Sequence, residues 1–397
     1  MTRLLHARRR RANAYGPIRI AFLTPSLAPG GAERQMLILA AMLPKPRFDI
    51  RFIALSERGA WADHADALGV PVHELGLTRS VCPRHLRCAI SAARALRRYV
   101  ALTRQVDVVD AWLVPSFTFA GFAQPFARVP VVLAGRRSLL DLYDGKPWYR
   151  RAAAAWATRQ MDAVVANSQA ARREAIEREH IDPTRVVLIP NAVIPIDVEP
   201  ADRDRRRMGW GFAPDDIVVG CVANYKLGKG LETLIEVAGR LRERAPKLRY
   251  VLVGEGPLRG ALQAAIDHAD LRSIVVLNGS VGDARHLYPT FDIAVQTSAS
   301  EGLPNAVLEA ASAGLPIVAT AVGGTPEIIA TPDDGMLIRP SDPAALEAAI
   351  LRLAEDPELR RTMSRGARAR ASEFSATRLV DATAALYIRL LDERLSR

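Results

Sequence analysis

Short apolar runs, each followed by a stretch long enough for a helix, recur along almost the whole chain, and this alternation limits the folds open to it. "IRIAFLT" (Ile18–Thr24) comes first, then "RFDIRFIAL", "VDVVDAWLV", "VPVVLAG", "MDAVVANS" and "RVVLIPN". The runs are nearly continuous in apolar character, which predicts parallel strands covered by helices on both faces. A polar stretch, "ADRDRRRMGWGFAPDD", interrupts the pattern. It restarts with "IVVGCVAN", "LRYVLVGEG", "SIVVLNGS", "FDIAVQTS" and "LPIVATAV". The expected architecture is therefore α/β, with two doubly wound, Rossmann-like parallel-sheet domains facing a cleft, at residues 17–195 and 216–375, joined by a linker at 196–215. The segment 376–397 is one helix too many for the second domain and is expected to pack back on the first. In such sheets ligands bind beyond the carboxyl ends of the strands, so the loops there are the places to look.

Composition narrows the partners. At 397 residues the chain exceeds what one hydrophobic core usually serves, which agrees with two domains. Cys82, Cys88 and Cys221 have no metal spacing and suit a reducing compartment, so no disulfide framework or structural metal is expected. Residues 1–16 hold five arginines and no apolar core, and read as a flexible basic tail, not a secretory signal. The longest apolar run, Ala111 to Ala123, contains Pro115 and falls short of the ~20 residues needed to span a bilayer. A cytoplasmic protein is expected, peripheral at the inner face of the membrane.

The formal charge of +11 invites an anionic partner. Between Arg79 and Arg104 there are seven arginines and no acid, interleaved with Leu86, Ile90, Ala93, Leu96 and Val100 at helical spacing. Such a helix either lies on anionic headgroups or is an ordinary surface helix with its apolar stripe buried. Nucleic acid is not an expected partner, because no recognition helix or aromatic-basic interleaving accompanies the charge.

Four loops carry chemistry. Gly30 and Gly31 follow the first strand and open a helix, where backbone amides and positive potential suit an anion. In "ANYKLGKGLETLI", Lys226 and Lys229 place two ammonium groups in a glycine-bearing loop, which suits a diphosphate. "SASEGLPNAVLEAASAGLPIVAT" sets Glu301 ahead of a helix over Ala306–Ala313 and Glu309 about one turn inside it, with Asn305 as a cap and Gly314 as the stop. A phosphate resting on the amides near Leu303 to Val307 would leave one carboxylate on either side to accept hydrogen bonds from sugar hydroxyls. In "AVGGTPEII", Thr325 can cap and Pro326 can start another helix.

These residues resemble the retaining glycosyltransferases of the two-domain GT-B fold, the large family four. The resemblance is strongest over Val219 to Ile338: Lys229-Gly230 looks like the family's KG loop, Val253 to Pro257 is its "VGEGP" turn, and Glu301 to Glu309 its paired-glutamate signature. The first domain is similar through "GGAER", "ANS" (Ala166–Ser168) and "IPNAV" (Ile189–Val193). The resemblance implies transfer of a sugar from a nucleoside-diphosphate sugar, with no metal and no cofactor. Glu309 would bind the ribose hydroxyls, Glu301 would lie beside the transferred sugar, and Lys229 would neutralise the diphosphate. Backbone groups of Leu303, Asn305 and Ala306 would hold sugar and phosphates, those near Gly254 and Leu277 the base, and Gly30 and Gly31 would meet the donor from the opposite wall. The implied acceptor is lipid-linked or a polysaccharide, in cell-envelope or exopolysaccharide biosynthesis, with a UDP-sugar preferred over a GDP-sugar. Two departures stand out: Asn224 replaces an Arg common in relatives, with Lys226 as its substitute, and Asp110 and Trp112 stand where relatives carry a His. Arg136 and Arg137, after another strand, join Asp110 as acceptor-side candidates. A non-catalytic sugar-nucleotide binder and a sugar-nucleotide epimerase are the alternative readings.

Overall fold

The computed structural model describes residues 16–78, 86–139, 145–195 and 200–396. The basic tail up to residue 15, Arg79 and Arg84 lie outside the described residues. The chain divides into two compact units, one made of Met1–Asn191 with Ala376–Arg397, the other of Ala192–Ser375.

The first unit is built on a seven-stranded sheet in the order β3-β2-β1-β4-β5-β6-β7. Its strands are β1 (Ile18–Thr24), β2 (Phe48–Ala54), β3 (Val72–Glu74), β4 (Val108–Trp112), β5 (Val131–Arg136), β6 (Ala163–Ala166) and β7 (Val186–Leu188), all paired in parallel. The crossovers carry helices α1 (Gly31–Met42), α2 (Ala62–Ala67), α3 (Leu86–Thr103), α4 (Leu113–Ala127), α5 (Trp148–Arg159) and α6 (Gln169–Glu177). One sheet face packs Ala21, Leu23, Ile53, Val109, Ala111 and Val132 against residues of α3, α4 and α5.

Helix α7 (Pro200–Gly209) opens the described part of the second unit's helical set. Its sheet runs β10-β9-β8-β11-β12-β13, with β8 (Ile217–Val222), β9 (Leu248–Val253), β10 (Val275–Gly279), β11 (Ile293–Gln296), β12 (Ile317–Thr320) and β13 (Met336–Ile338). Helices α8 (Leu231–Leu241), α9 (Arg259–His268), α10 (Asn305–Ser312), α11 (Thr325–Ile328), α12 (Pro343–Glu355) and α13 (Pro357–Ala371) cover it. Along β9, Leu248, Tyr250 and Leu252 enter one core and Val251 and Val253 the other, so both faces are buried. The last helix, α14 (Ala376–Leu395), belongs to the first unit.

Each sheet reverses its strand order beside its first strand, between β1 and β4 and between β8 and β11. The doubly wound fold read from the sequence is thus the fold observed, with two additions: β3 and β13, three residues each, extend the sheets at their edges. The segment read as a linker folds differently from a connector. Residues of 200–209 form α7, and Arg207 is buried with its guanidinium on Asp292 Oδ2 at 2.7 Å and on the Thr290 carbonyl at 2.8 Å. The arginines that made this stretch look solvated are partly consumed by that anchoring. Helix α3 is also rotated from the expected face: Ala95, Tyr99 and Thr103 are buried, while Ile90 and Ala93 point outward.

Candidate functional site

Strands β8 and β11 are neighbours, with Val219 opposite Ile293, so the loops after them leave the sheet side by side. The first is the Lys226–Gly230 loop. Gly230 has φ +62, and a Cβ there would lie 2.2 Å from the Thr297 carbonyl oxygen, so only glycine lets the two loops close on each other. Two further bonds stitch them: Thr297 Oγ1 donates to Lys229 O at 2.8 Å, and Ala299 N–H donates to Gly228 O at 2.8 Å.

That stitching brings Lys229 to Glu301. Nζ lies 2.5 Å from Oε1 in an ion pair whose side chains are 20% and 17% exposed, screened yet open to a ligand. Glu301 Oε1 also accepts from Gln296 Nε2 at 3.3 Å, and Gln296 Oε1 is 3.1 Å from Thr320 Oγ1. The carboxylate is therefore held by side chains from β11 and the β8 loop, with β12 behind. Lys226 is exposed on the same loop, as is Asn224.

The third loop joins from the other side. Gly323 has φ +54, and a Cβ there would sit 1.7 Å from the Glu301 carbonyl oxygen, while Gly324 N–H donates to Gly302 O at 2.7 Å. The glycine pair thus lets the loop after β12 touch the backbone of Glu301. Thr325 lies inside the short helix α11, not at its cap, and Gly324 takes the cap position.

Helix α10 starts one residue earlier than its sequence suggested: Pro304 is the N-cap and Asn305 the first helical residue, with no side-chain cap. Proline fits there because its missing N–H is one a helix start cannot use. Leu308 N–H is the first to bond back, to Pro304 O at 3.2 Å, so the amides ahead of it have no acceptor within the helix. Leu303 is buried, and Asn305 and Ala306 are half-buried at this end. Glu309, buried, accepts a hydrogen bond on Oε2 from Tyr288 Oη at 3.1 Å, and the same hydroxyl is 3.1 Å from the Ala306 carbonyl. Gly254 closes the end of β9, its N–H donating to Gly279 O at 3.0 Å, and Leu277 lies half-buried on β10.

The first unit's candidates form a separate set. Gly30 caps α1 in an extended conformation, and a Cβ there would meet Glu33 Oε2 at 2.3 Å, so the Glu33 carboxyl folds back over the glycine. Burial pushes that carboxyl up to about 7, against the bond from its own N–H. Asp110, buried on β4, accepts from Tyr387 Oη at 2.7 Å, a bond between the sheet and α14. Burial raises the Asp110 pKa, opposed by the Tyr387 bond and the Arg137 charge. Arg137 lies 3.7 Å over the Trp112 ring and donates to Asn191 Oδ1 at 2.9 Å. Arg136, its neighbour, is buried and ion-paired with Glu179, so its charge is used inside the fold.

The assembled loops of the second unit set lysine, two carboxylates and a helix start around one another, an arrangement able to neutralise an anion and bind adjacent hydroxyls. A family model described as Glycosyl transferases group 1 matches residues 202–370, and one described as Glycosyltransferase Family 4 matches residues 29–195. The chain belongs to the group 1 glycosyl transferases. EpsD of Bacillus subtilis, named as a glycosyltransferase, is 34% identical over 195 residues, 49% of this chain and 51% of EpsD. The D-inositol 3-phosphate glycosyltransferase of Salinispora arenicola is 31% identical over 245 residues, 57% of this chain and 55% of that protein. The chain thus spans about half the length of the curated relatives it matches. Anabaena HepE, crystallised with UDP-glucose, shares the GT-B fold with a TM-score of 0.80 at 22% identity, over 93% of this chain and 99% of HepE.

The group 1 match spans every second-unit candidate from Lys226 to Glu309, and also three residues that the sequence did not single out: Tyr288, Gln296 and Thr320. Tyr288 stands in a 3-10 segment, Ala284–Thr290, where no periodicity marks a face. Gln296 closes β11 two residues before Ser298, in a run whose apolar pattern hid it.

Proposed function

We propose that the chain is a retaining, metal-independent hexosyltransferase that moves a sugar from a nucleoside-diphosphate sugar, a UDP-sugar by preference, to a lipid-linked or polysaccharide acceptor. The observation that carries this reading is the Lys229–Glu301 ion pair beside the α10 start, with Glu309 held by Tyr288. Lys229 is placed to neutralise the diphosphate, and the amides of α10 supply further positive potential. Glu309 offers its carboxylate to the ribose hydroxyls and Glu301 to the transferred sugar. In the step itself, the acceptor oxygen bonds to the anomeric carbon on the face from which the diphosphate leaves. The bond from that carbon to the phosphate oxygen breaks, the departing phosphate takes the acceptor's proton, and nucleoside diphosphate is released. Retention follows without a protein base.

The likeness to EpsD supports a place in exopolysaccharide synthesis, and the HepE complex supports UDP as the nucleotide. Among the described residues no helix is long and apolar enough to cross a membrane, which fits a peripheral enzyme meeting its acceptor at the inner membrane face. The test is thermal stabilisation by UDP-, GDP-, ADP- and TDP-sugars, with Glu309→Ala alongside, since a ligand of the folded state raises stability with its affinity. A shift with UDP-sugars that disappears in the variant is expected. A shift with another nucleotide alone would overturn the UDP assignment, and an undiminished shift in the variant would overturn the ribose role of Glu309.

A further inference from the structure

Five large aromatic side chains stand in solvent on two neighbouring helices of the first unit: Phe122, Phe126, Trp148, Tyr149 and Trp156, from 42% to 80% exposed. They form one surface. Phe122 of α4 stacks on Trp156 of α5 with centroids 4.6 Å apart, and Phe126 follows Phe122 by one helical turn. Tyr149 precedes Trp156 by two turns on the same side of α5, and the Trp148 ring meets Tyr149 edge-on at 6.4 Å. The helices approach closely enough for this because Gly121 faces Ala157, where a Cβ would come within 2.7 Å of the alanine methyl.

The helices that carry this surface, and the one beside them, contribute charge of one sign. Helices α3, α4 and α5 contain no aspartate or glutamate. Helix α3 packs beside α4 with Arg97 exposed, while Arg98 lies by Gly76 on the far side of that helix, and Arg150 and Arg151 are exposed between the aromatics of α5. Amphipathic rings with arginine and no carboxylate are the composition that settles at the headgroup level of a bilayer. The charge that α4 and α5 themselves supply is basic, which favours an anionic layer over the mixed-sign rim of a protein contact.

We propose that the α4–α5 face, with Arg150 and Arg151 set among its rings and Arg97 of α3 beside it, docks on an anionic phospholipid surface. The rings enter the interfacial layer and the guanidinium groups pair with lipid phosphates. This differs from membrane binding through the apolar stripe read from the sequence of α3, because that helix turns Ala95 and Tyr99 into the core and packs Leu96 against it, leaving Ile90 and Ala93 of the stripe exposed. The inference deepens the lipid-linked acceptor proposed above and rests on that reading for its biological sense only, since the surface is independent of the donor loops.

The experiment is flotation of the full chain with phosphatidylcholine vesicles, with and without phosphatidylglycerol, for the unaltered protein, a Phe126→Ser/Trp148→Ser variant and an Arg150→Glu/Arg151→Glu variant. Binding only to the phosphatidylglycerol vesicles is expected, weakened roughly tenfold or more in each variant. Tryptophan emission should be quenched by brominated acyl chains, and less so in Trp148→Phe. UDP-sugar stabilisation should be the same in all of them, which keeps a failure here distinct from a failure of the donor reading. Absence of binding, or variants that float like the unaltered protein, would overturn the proposal. So would self-association in sedimentation velocity that the serine variant abolishes, which would assign the face to a second copy of the chain.

Discussion

Lys229 and Glu301, 72 positions apart in sequence, share an ion pair of 2.5 Å on the loops after adjacent strands. The pair sets the unliganded state of the proposed donor site. The lysine charge is balanced until a diphosphate arrives, and the arriving phosphate competes with Glu301 for it. The exchange keeps the lysine charge paired throughout, while Glu301 is left with its bond from Gln296 and is freed toward the bound sugar.

The two residues should therefore separate kinetically. Glu301→Gln removes the competitor and is expected to keep or tighten UDP binding while lowering turnover by about 100-fold or more, as loss of a group that acts on the reacting sugar does. Lys229→Ala is expected to weaken UDP binding by roughly 10- to 100-fold, the worth of a charge-assisted phosphate contact. Calorimetric titration with UDP and initial-rate kinetics check both; equal loss of binding in the two variants would contradict the division of roles.

Tyr288 acts on the donor through Glu309. In Tyr288→Phe the carboxylate loses the bond at 3.1 Å that orients it. UDP affinity is expected to fall by about 5- to 10-fold, roughly 1–1.5 kcal/mol, with kcat little changed. Combining the change with Glu309→Ala should add almost nothing to the effect of Glu309→Ala alone, because both act on one interaction. Additive losses in that double variant would assign Tyr288 a separate role.

Gly323→Ala tests the closure of the loops. The new methyl would overlap the Glu301 carbonyl, and φ +54 is unfavourable to alanine. The expected result is a melting temperature lowered by a few degrees, for a cost of about 1–3 kcal/mol, with UDP stabilisation lost because the Glu301–Gly302 backbone is pushed aside and the α10 start that follows it moves too. Retained UDP binding at unchanged stability would mean that this approach of the two backbones is not needed.

Glu33 predicts a pH dependence. Its folded value of about 7 lies above the ordinary carboxyl value of 4.5, so the folded state holds a proton that the unfolded state releases over that interval. Stability contributed by the neutral carboxyl is complete below about pH 4.5 and declines as pH rises toward 7, reaching a loss of about 3 kcal/mol above it. Glu33→Gln should match the unaltered protein near pH 4.5, exceed it in stability by that order at pH 8, and flatten the profile between. Denaturant melts at a series of pH values measure this, and a parallel profile in the variant would refute the burial account.

The sequence disclosed most of the framework. The long apolar runs marked eleven strands and their parallel order, because burial on both faces leaves no alternation to misread. β3 and β13 escaped because neither lies in an apolar run longer than three residues, whereas β7, an edge strand of equal length, lies within the run Val186–Ile189. Helix α7 escaped because its arginines look like solvent-facing charge until Asp292, far along the chain, supplies the partner. In the site, Lys229, Glu301 and Glu309 were legible because each sits in a loop or helix start whose chemistry is local. Tyr288, Gln296 and Tyr387 were not, since what distinguishes them is a partner that only the fold brings within reach.

The bond from Tyr387 to Asp110 also bears on how the chain is made. The first unit is interrupted in sequence by the whole of the second, and α14, which donates a hydrogen bond to the buried Asp110 carboxyl, is synthesised after it. During translation the second unit has its complete sequence before the first does. Until the final twenty-residue helix leaves the ribosome, the first sheet holds an acid at its centre with no hydroxyl to meet it. The nascent first unit must therefore wait, incomplete, until the second has been made, and a chain cut short between the two would hold the whole sequence of the later unit and leave the earlier one unfinished.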